Sequence, residues 1–536
     1  MVKFRAMELV DKALPADVQE LTEMVLQLRQ EVAQQASKLA HQSDFIKQLI
    51  ETIQLARHQR FGPSSEKLNT DQLSLLFNEA EALTDHAAEN KDPIDEETDS
   101  TTVVKSYTRK KGGRKKLPDH YPRIEVIHTL EGDECQCDHC GGELAVMGEK
   151  ASEQIDLIPM TVQVIHHIRK TYHCPNCKTG VKSAKLPPQP IPHSMASPGT
   201  LAHINVNKYI NGMPLYRQEQ EFKRLDIPIR RATLALWVIR SGQLIQALIN
   251  LLREVLLAYN SLKMDETRCQ VLKEPGKTPE SQSFMWVQRG GPPDKPVILY
   301  DYAPTRSQEV PVELLGDYAG YLQIDGYDGY NKVIAENEIT PLGCWAHVRR
   351  KFDQAMKAQG KHKSRKASLA QQAMQRIQLL YKVEKQAKGL NDEQRRALRQ
   401  EKAIPILKGL REWLDQHLPV VVKQSALGKA MHYVDKQWPR LTVYTEDGRL
   451  HIDNNLCENA IRPFVIGRKN SLFSDTVSGA KASANLYSLI ETAKANGLEP
   501  YSYLKRVFTE LPKATCIEDI EALLPFKQPI EEEKPA

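Results

Sequence analysis

Two short cysteine knuckles, CDHC at 137–140 and CPNC at 174–177, stand 33 residues apart in the chain. A C-x2-C turn presents two sulfurs to one ion, and two such turns fill the tetrahedral shell that zinc prefers, with Zn–S distances of about 2.3 Å. Gly141 and Gly142 allow the tight backbone passage this needs. Four thiolates leave no open position for water. One structural Zn2+ held by Cys137, Cys140, Cys174 and Cys177 is therefore expected, stabilising a small module with little core of its own. Cys135 and His139 are spare candidates outside a shell already complete, and four unligated cysteines are the alternative. Five of the nine cysteines fall between Cys135 and Cys177, a distribution that suits metal in a reducing compartment better than disulfides.

At 536 residues the chain has length for several cores, and 41% hydrophobic with 26% charged residues describes ordinary globular protein. No charge-free apolar stretch reaches the roughly 18 residues of a membrane span, and no signal-like segment follows Met1. No membrane partner and a cytoplasmic protein are expected. Lys plus Arg total 73 against 68 acids, a balance too even to identify a nucleic-acid binder. Placement is more informative: 85–104 holds seven acids and one Lys, whereas RKKGGRKK at 109–116 holds six bases. The acidic block reads as a solvated linker, and the basic block as a phosphate-seeking arm or the linker's other half.

From Val18, apolar residues step by three and four: Leu21, Val25, Leu28, Val32, Leu39, Ile46, Leu49 and Ile53. This heptad seam, with Gln35 and Gln42 as polar positions that fix register, predicts a self-associating coiled coil over 14–60. An amphipathic helix packed on its own chain is the alternative. A linker covers 61–116 and the zinc module 117–186, with strands expected among the β-branched residues of 155–168. Helical periodicity fills 194–259, broken at 212–214, near Pro228 and around Gly242. MDETRCQVL, SFMWVQRG, PVILYDY, YAGYLQIDGY and ITPLGCWAH then read as short strands of an α/β domain. Helix returns over 353–444, where Lys357 to Lys388 carries nine bases against one Glu, and a helical segment with a tail closes the chain over 491–536.

Asp265 lies in a predicted strand, and Asp325 at the end of another. Neighbouring strands can bring such carboxylates together, where they repel unless a hard divalent cation lies between them. Glu458, at the start of a predicted helix and followed by Arg462, Arg468 and Lys469, is a candidate third acid. Each has a rival reading. Glu266 competes with Asp265, Asp328 with Asp325, and Glu458 has the position of a first-turn acid that satisfies a helix dipole.

The motifs themselves go further. DET at 265–267, IDGYDGYN at 324–331, GCWAHVRRKF at 343–352, DNNLCENAIRP at 453–463 and GRKNSLF at 467–473 resemble the large, DDE-type subunit of insertion-sequence 66 family transposases. The resemblance continues in order through RFGPSSEK, the double C-x2-C, PLYRQEQEF at 214–222 and LYSLIETAKANGLEPYSYL near the C-terminus. It implies a multidomain α+β protein: coiled coil, zinc-binding module, helical DNA-binding region, and a ribonuclease H-like α/β catalytic core over 260–352 and 445–490 with a helical insertion. Asp265, Asp325 and Glu458 fall on the family's acids and are the implied ligands of two Mg2+ ions that cut and join DNA ends. Asp325 and Glu458 are 133 residues apart, which leaves room for the insertion. Asn459 stands where the family commonly has a basic residue after the glutamate, and Arg268 where its DET motif often has Pro.

His347, Arg349, Arg350, Arg462, Arg468 and Lys469 are candidate phosphate contacts, His347 also reading as a buried structural histidine. The segment 214–242 resembles helix-turn-helix, with Arg230 and Arg231 opening the candidate reading helix; a purely structural helical pair is the alternative. The expected partners are double-stranded DNA at element ends and target, a second copy of the chain, and smaller proteins of the same element; DNA-bound protein would associate with the bacterial nucleoid. Rival functions are a non-catalytic DNA-binding regulator and a nuclease that cuts without joining.

Overall fold

The structure is a computed structural model and describes residues 18–61, 162–173, 181–183, 186–359 and 367–528. The linker 62–116 and Cys135, Cys137, His139, Cys140, Cys174 and Cys177 lie outside the described residues. The chain divides into two compact units, 1–91 with 189–528 and 92–188 with 529–536. Within the second unit, β1 (Thr171–His173) and β2 (Val181–Ser183) pair antiparallel, His173 opposite Val181. The strands expected over 155–168 do not extend into 162–168, where Val162, Val164, Ile165 and Ile168 are exposed. β-Branched side chains favour a strand only where a partner strand is at hand, and pairing here sits on either side of the second knuckle.

The first unit opens with α1 (Val18–Phe61), a 44-residue helix whose seam residues Val25, Leu28, Val32, Leu39, Ile46, Leu49 and Ile53 are exposed. Four helices follow the Pro-rich boundary: α2 (Pro198–Tyr209), α3 (Leu215–Arg224), α4 (Arg231–Leu244) and α5 (Gln246–Leu257). Ser197 caps α2 by accepting from the Thr200 amide. The breaks at 212–214 and Pro228 fall between helices as the sequence predicts; α4 runs past Gly242 and ends at Leu244. Among the described residues no single helix is long and apolar enough to cross a membrane.

A six-stranded mixed sheet comes next: β3 (Ser261–Lys273), β4 (Gln282–Gly290) and β5 (Val297–Ala303), then α6 (Glu309–Leu315), β6 (Gly320–Gln323), α7 (Asn331–Glu336) and β7 (Ile339–Leu342). The strand order is β5-β4-β3-β6-β7. The first three strands form an antiparallel meander, while β6 runs parallel to β3 and β7 parallel to β6. Helices α8 (Trp345–Gln359), α9 (Leu369–Gln386), α10 (Asp392–Leu398), α11 (Ile404–His417) and α12 (Ala426–Thr442) follow. Then come α13 (Asn455–Ser471), β8 (Ser474–Thr476) along the far end of β3, α14 (Val477–Ala495), α15 (Pro500–Glu510) and α16 (Ile517–Glu521).

Two hydrophobic cores result. One joins α2 to α5, the sheet, α13, α14 and α15, around Trp286, Tyr300 and Leu322. The other lies among α8, α9, α11 and α12, around Trp345, Phe352 and Trp413. In the first, α4 packs closely on α14: a Cβ on Gly242 would stand 2.6 Å from that of Ala482, so only glycine permits this approach. Arg399, buried in the second, donates to the Glu384 carboxylate and to the carbonyls of Tyr444, Asp447 and Leu450, so its charge is paired.

Candidate active site

Strand register brings the first two acids together. β3 and β6 are parallel with Lys263 opposite Gln323, and side chains two residues apart on a strand share a face. Asp265 and Asp325, each two residues further on, thus emerge side by side at the end of β6. Asp265 Oδ1 accepts from the Glu266 amide at 2.9 Å, and Asp325 Oδ1 from the Tyr327 amide at 2.9 Å, an Asx turn that fixes its rotamer. Gly326 lets Tyr433 of α12 close over this turn, since a Cβ there would meet the tyrosine ring at 2.6 Å.

Glu458 arrives from the first turn of α13, a helix laid against β3 and β4. Asn454 Nδ2 donates to the Met264 carbonyl at 3.0 Å, and Arg468 to Thr267 Oγ1 at 3.3 Å and to the Arg268 carbonyl. These bonds tie α13 to the strand that carries Asp265. Burial pushes the Asp265 carboxyl well above its usual range, and the charges of Glu266, Asp325 and Glu458 push it the same way. Three carboxylates from separate parts of the chain therefore share one electrostatic field.

Their rivals sit differently. Glu266, whose charge also acts on Asp265, is ion-paired with Arg306 and accepts from Tyr330 at 2.9 Å, while Arg306 stacks on Tyr327 at 3.7 Å. Asp328 is exposed and paired with Lys436 at 2.9 Å. Both already have partners.

α8 supplies a basic rim. Arg350 Nη2 donates to Glu458 Oε2 at 2.8 Å, and His347 Nδ1 faces Oε1 of the same carboxylate at 3.5 Å. Burial lowers the His347 pKa, with Glu458 opposing, so the ring is held toward its neutral form. Arg349 instead points its guanidinium at the Tyr381 ring, 5.2 Å away. Arg462 and Lys469 are exposed on α13, whereas Arg468 is engaged with β3. Arg230 and Arg231 are exposed at the start of α4, with the Arg231 amide donating to Glu219 at 2.7 Å.

A polar tier beneath the acids escapes a reading of the sequence. Lys263, Gln323 and Asp453 precede Asp265, Asp325 and Glu458 by two, two and five residues. Lys263 Nζ donates to Gln323 Oε1 and to the Asp453 carbonyl at 3.2 Å, and Gln323 Nε2 to the His451 carbonyl at 2.9 Å. Tyr381, from α9, donates to Asp453 Oδ2 at 2.9 Å. Burial lowers the Lys263 ammonium to about 8 and raises the Asp453 carboxyl, each group moderating the shift of the other. The one signal available was strand alternation, which puts Lys263 on the face of Asp265.

Comparison with known proteins matches most of the chain to one family. Residues 193–482 match the model of the transposase IS66 family, and 488–526 match the IS66 C-terminal element. Residues 134–178 match the zinc-finger binding domain of transposase IS66, which supports a zinc in that module, and 48–126 match a segment described as transposase C of IS166 homeodomain. Among relatives, y4jD of Sinorhizobium fredii (strain NBRC 101917 / NGR234) is 32% identical over 97% of this chain and 98% of its own length. A second protein of that strain, y4qI, is 29% identical over 96% of this chain and 97% of its own. No solved structure matches. By its matches along nearly its whole length, the chain belongs to the IS66 family of transposases.

Proposed function

We propose that the protein is a DDE-type transposase that binds the ends of an insertion sequence and catalyses metal-dependent DNA cleavage and strand transfer at Asp265, Asp325 and Glu458. The observation that carries this reading is the Asp265 carboxyl, raised well above its usual range first by burial and then by the charges of Glu266, Asp325 and Glu458, which puts the acids of three separate motifs within one another's fields. Such a donor set fits hard divalent cations, which take oxygen ligands and offset repulsion among carboxylates. Two Mg2+ ions bound there would activate a water or a DNA 3′ hydroxyl and stabilise the leaving oxygen of an in-line displacement. The sheet order, an antiparallel meander continued by two parallel strands with acids on the central strand and its neighbour, supports a ribonuclease H-like core.

The chain's own residues hold the reactants. The tier of Lys263, Gln323 and Asp453 fixes the backbones that carry the acids. Arg350 holds one oxygen of Glu458 while the other faces His347, so the carboxylate has a set orientation. Arg349, Arg350, Arg462 and Lys469 supply positive charge for DNA phosphates, and a neutral His347 has a ring nitrogen to offer a phosphate oxygen. Arg230 and Arg231 lead the helix proposed to read element ends. Four thiolates of the finger would hold its zinc, and α1 would pair with a second copy.

Full-length protein carrying Asp265→Asn, Asp325→Asn or Glu458→Gln, assayed on DNA bearing the element ends with Mg2+, tests the assignment. Loss of an outer partner of a metal costs about 10–100-fold, so loss of a ligand should lower cleavage by at least ~100-fold while DNA affinity is kept. Cleavage retained in any variant removes that acid from the site. Cut but unjoined products from the unaltered protein would point to a nuclease, and no nicking at all to a regulator.

A further inference from the structure

We propose that Cys344, His347 and Glu458 form a binding site for a thiophilic divalent cation such as Zn2+ or Co2+, whose occupancy excludes Mg2+ by taking Glu458. Cys344 sits just before α8, His347 in its first turn and Glu458 in the first turn of α13, so two helix starts converge on one point. The Cys344 sulfur, a His347 ring nitrogen and a Glu458 oxygen all lie within 4.8 Å of one another. Ligands of one tetrahedral zinc stand roughly 3.3–3.6 Å apart, given Zn–S of about 2.3 Å and Zn–N or Zn–O of about 2.0–2.2 Å. Closing the gap takes at most about 1.5 Å of movement at these side chains.

The hydrogen bonds around these atoms point the same way. Glu458 divides its oxygens: Oε2 accepts from Arg350, whereas Oε1 faces His347. Neither Glu458 Oε1 nor His347 Nδ1 has a hydrogen-bond partner among the described residues, although both are shielded from solvent. Buried polar atoms are seldom left in this state, and a shared cation satisfies both. Cys344 Sγ accepts from the Asn454 amide at 3.2 Å, while burial and the charges of Asp453 and Glu458 push the thiol up to about 12, so it is the bound cation that must displace the proton. As the S–metal bond forms, the thiol proton leaves to solvent.

Donor type decides which ion fits. One sulfur, one imidazole nitrogen and one carboxylate oxygen suit zinc and its neighbours in the transition series, whereas Mg2+ requires oxygen. The site is therefore chemically separate from the three-carboxylate cluster, yet the two share Glu458. Zn2+ bound here would withdraw that carboxylate from Asp265 and Asp325 and act as an inhibitor. The binding site stands on geometry alone; its inhibitory effect rests on the proposed function.

Co2+ titration of the full-length protein, with zinc retained in the finger and verified by metal analysis, reads the site directly. The unaltered protein should take up one further equivalent and develop a thiolate-to-cobalt charge-transfer band. Cys344→Ser should lose the band, and His347→Ala should weaken Co2+ binding at least tenfold. A band of undiminished intensity in Cys344→Ser, or unchanged affinity in His347→Ala, overturns the site, as does failure of the unaltered protein to bind a further equivalent. Circular dichroism melts confirm that each variant is folded, with Cys344→Ala replacing the serine variant should that fail to fold. In cleavage assays with Mg2+, Zn2+ should inhibit the unaltered protein at a concentration at least tenfold below that needed for Cys344→Ala. Equal inhibition of both overturns the exclusion of Mg2+. Absence of cleavage from the unaltered protein would defeat the functional reading and leave the cobalt result standing.

Discussion

Asp265 shows what a cluster of acids costs a protein before any cation binds. Its carboxyl is pushed up by burial and by Glu266, Asp325 and Glu458, so the folded chain holds its proton more tightly than the unfolded chain does. The resulting penalty is absent below the ordinary carboxylate range, where both states are protonated. It grows as pH rises and is complete once the raised folded value has been passed. In metal-free protein, Asp265→Asn should therefore raise the melting temperature at pH 8 and leave it almost unchanged at pH 4. A lower melting temperature at pH 8 would mean that the charge is compensated by the fold itself. The three acids were singled out through the family motifs in which they stand, since strand ends and spacing alone left Glu266 and Asp328 as rivals. Lys263 was not, because lysine is almost never fully buried unless paired and its partners, Gln323 and Asp453, lie 60 and 190 residues away.

At the level of elements, helix α4 bears both readings that its sequence allowed. Leu234, Trp237 and Val238 are buried in the main core, as a structural helix requires, while Arg230, Arg231 and Arg240 are exposed. A helix that reads DNA needs the same division, since its apolar face must be held while its basic face meets the phosphates. Each phosphate that a protein ceases to neutralise lowers the slope of log affinity against log salt by about 0.9. Arg230→Ala with Arg231→Ala should flatten that slope by roughly 1.8, weaken binding, and leave the melting temperature in place. An unaltered slope assigns α4 to structure alone. The five strand segments β3 to β7 were legible from β-branched and aromatic runs, and the helix breaks from Gly and Pro. Three-residue β8, SDT, has no apolar alternation to betray it and forms only because β3 is long enough to offer a free edge.

Across the whole molecule, the helices between β7 and α13 build a core of their own, and their contact with the acid site runs through named atoms. Tyr381 of α9 donates to Asp453, five residues ahead of Glu458, and Arg350 of α8 holds Glu458 itself. The 133 residues between Asp325 and Glu458 left room in the sequence for these helices. Sequence could not show this linkage, which depends on two cores meeting in space. Tyr381→Phe removes a single hydroxyl from a hydrogen bond to a carboxylate, worth about 1.5–3 kcal/mol. As an outer partner of the segment carrying a proposed metal ligand, it should raise the Mg2+ concentration needed for half-maximal cleavage by about 10-fold or more, with DNA affinity kept. Unchanged Mg2+ dependence would uncouple the helical core from the site.

Helix α1 belongs to the same scale, because a second copy is proposed to cover its exposed seam. Glu51 accepts from the Ala426 amide at 3.0 Å, so one part of the helix rests on its own chain, as the alternative reading held. Yet Val32 and Leu39 remain 64% and 65% exposed, on the stripe where Gln35 interrupts the apolar series. Apolar residues recurring at heptad spacing bury little unless a second helix lies along them, and a polar residue on the seam selects register and partner number. Burying one such side chain fully is worth about 1.5–3 kcal/mol, so two carboxylates placed on the seam should abolish pairing. Light scattering behind size exclusion should give the unaltered protein a mass at least twice the 60.8 kDa of one chain, and Val32→Asp with Leu39→Asp the mass of one. Equal masses for the two proteins would leave α1 as a helix serving only its own chain.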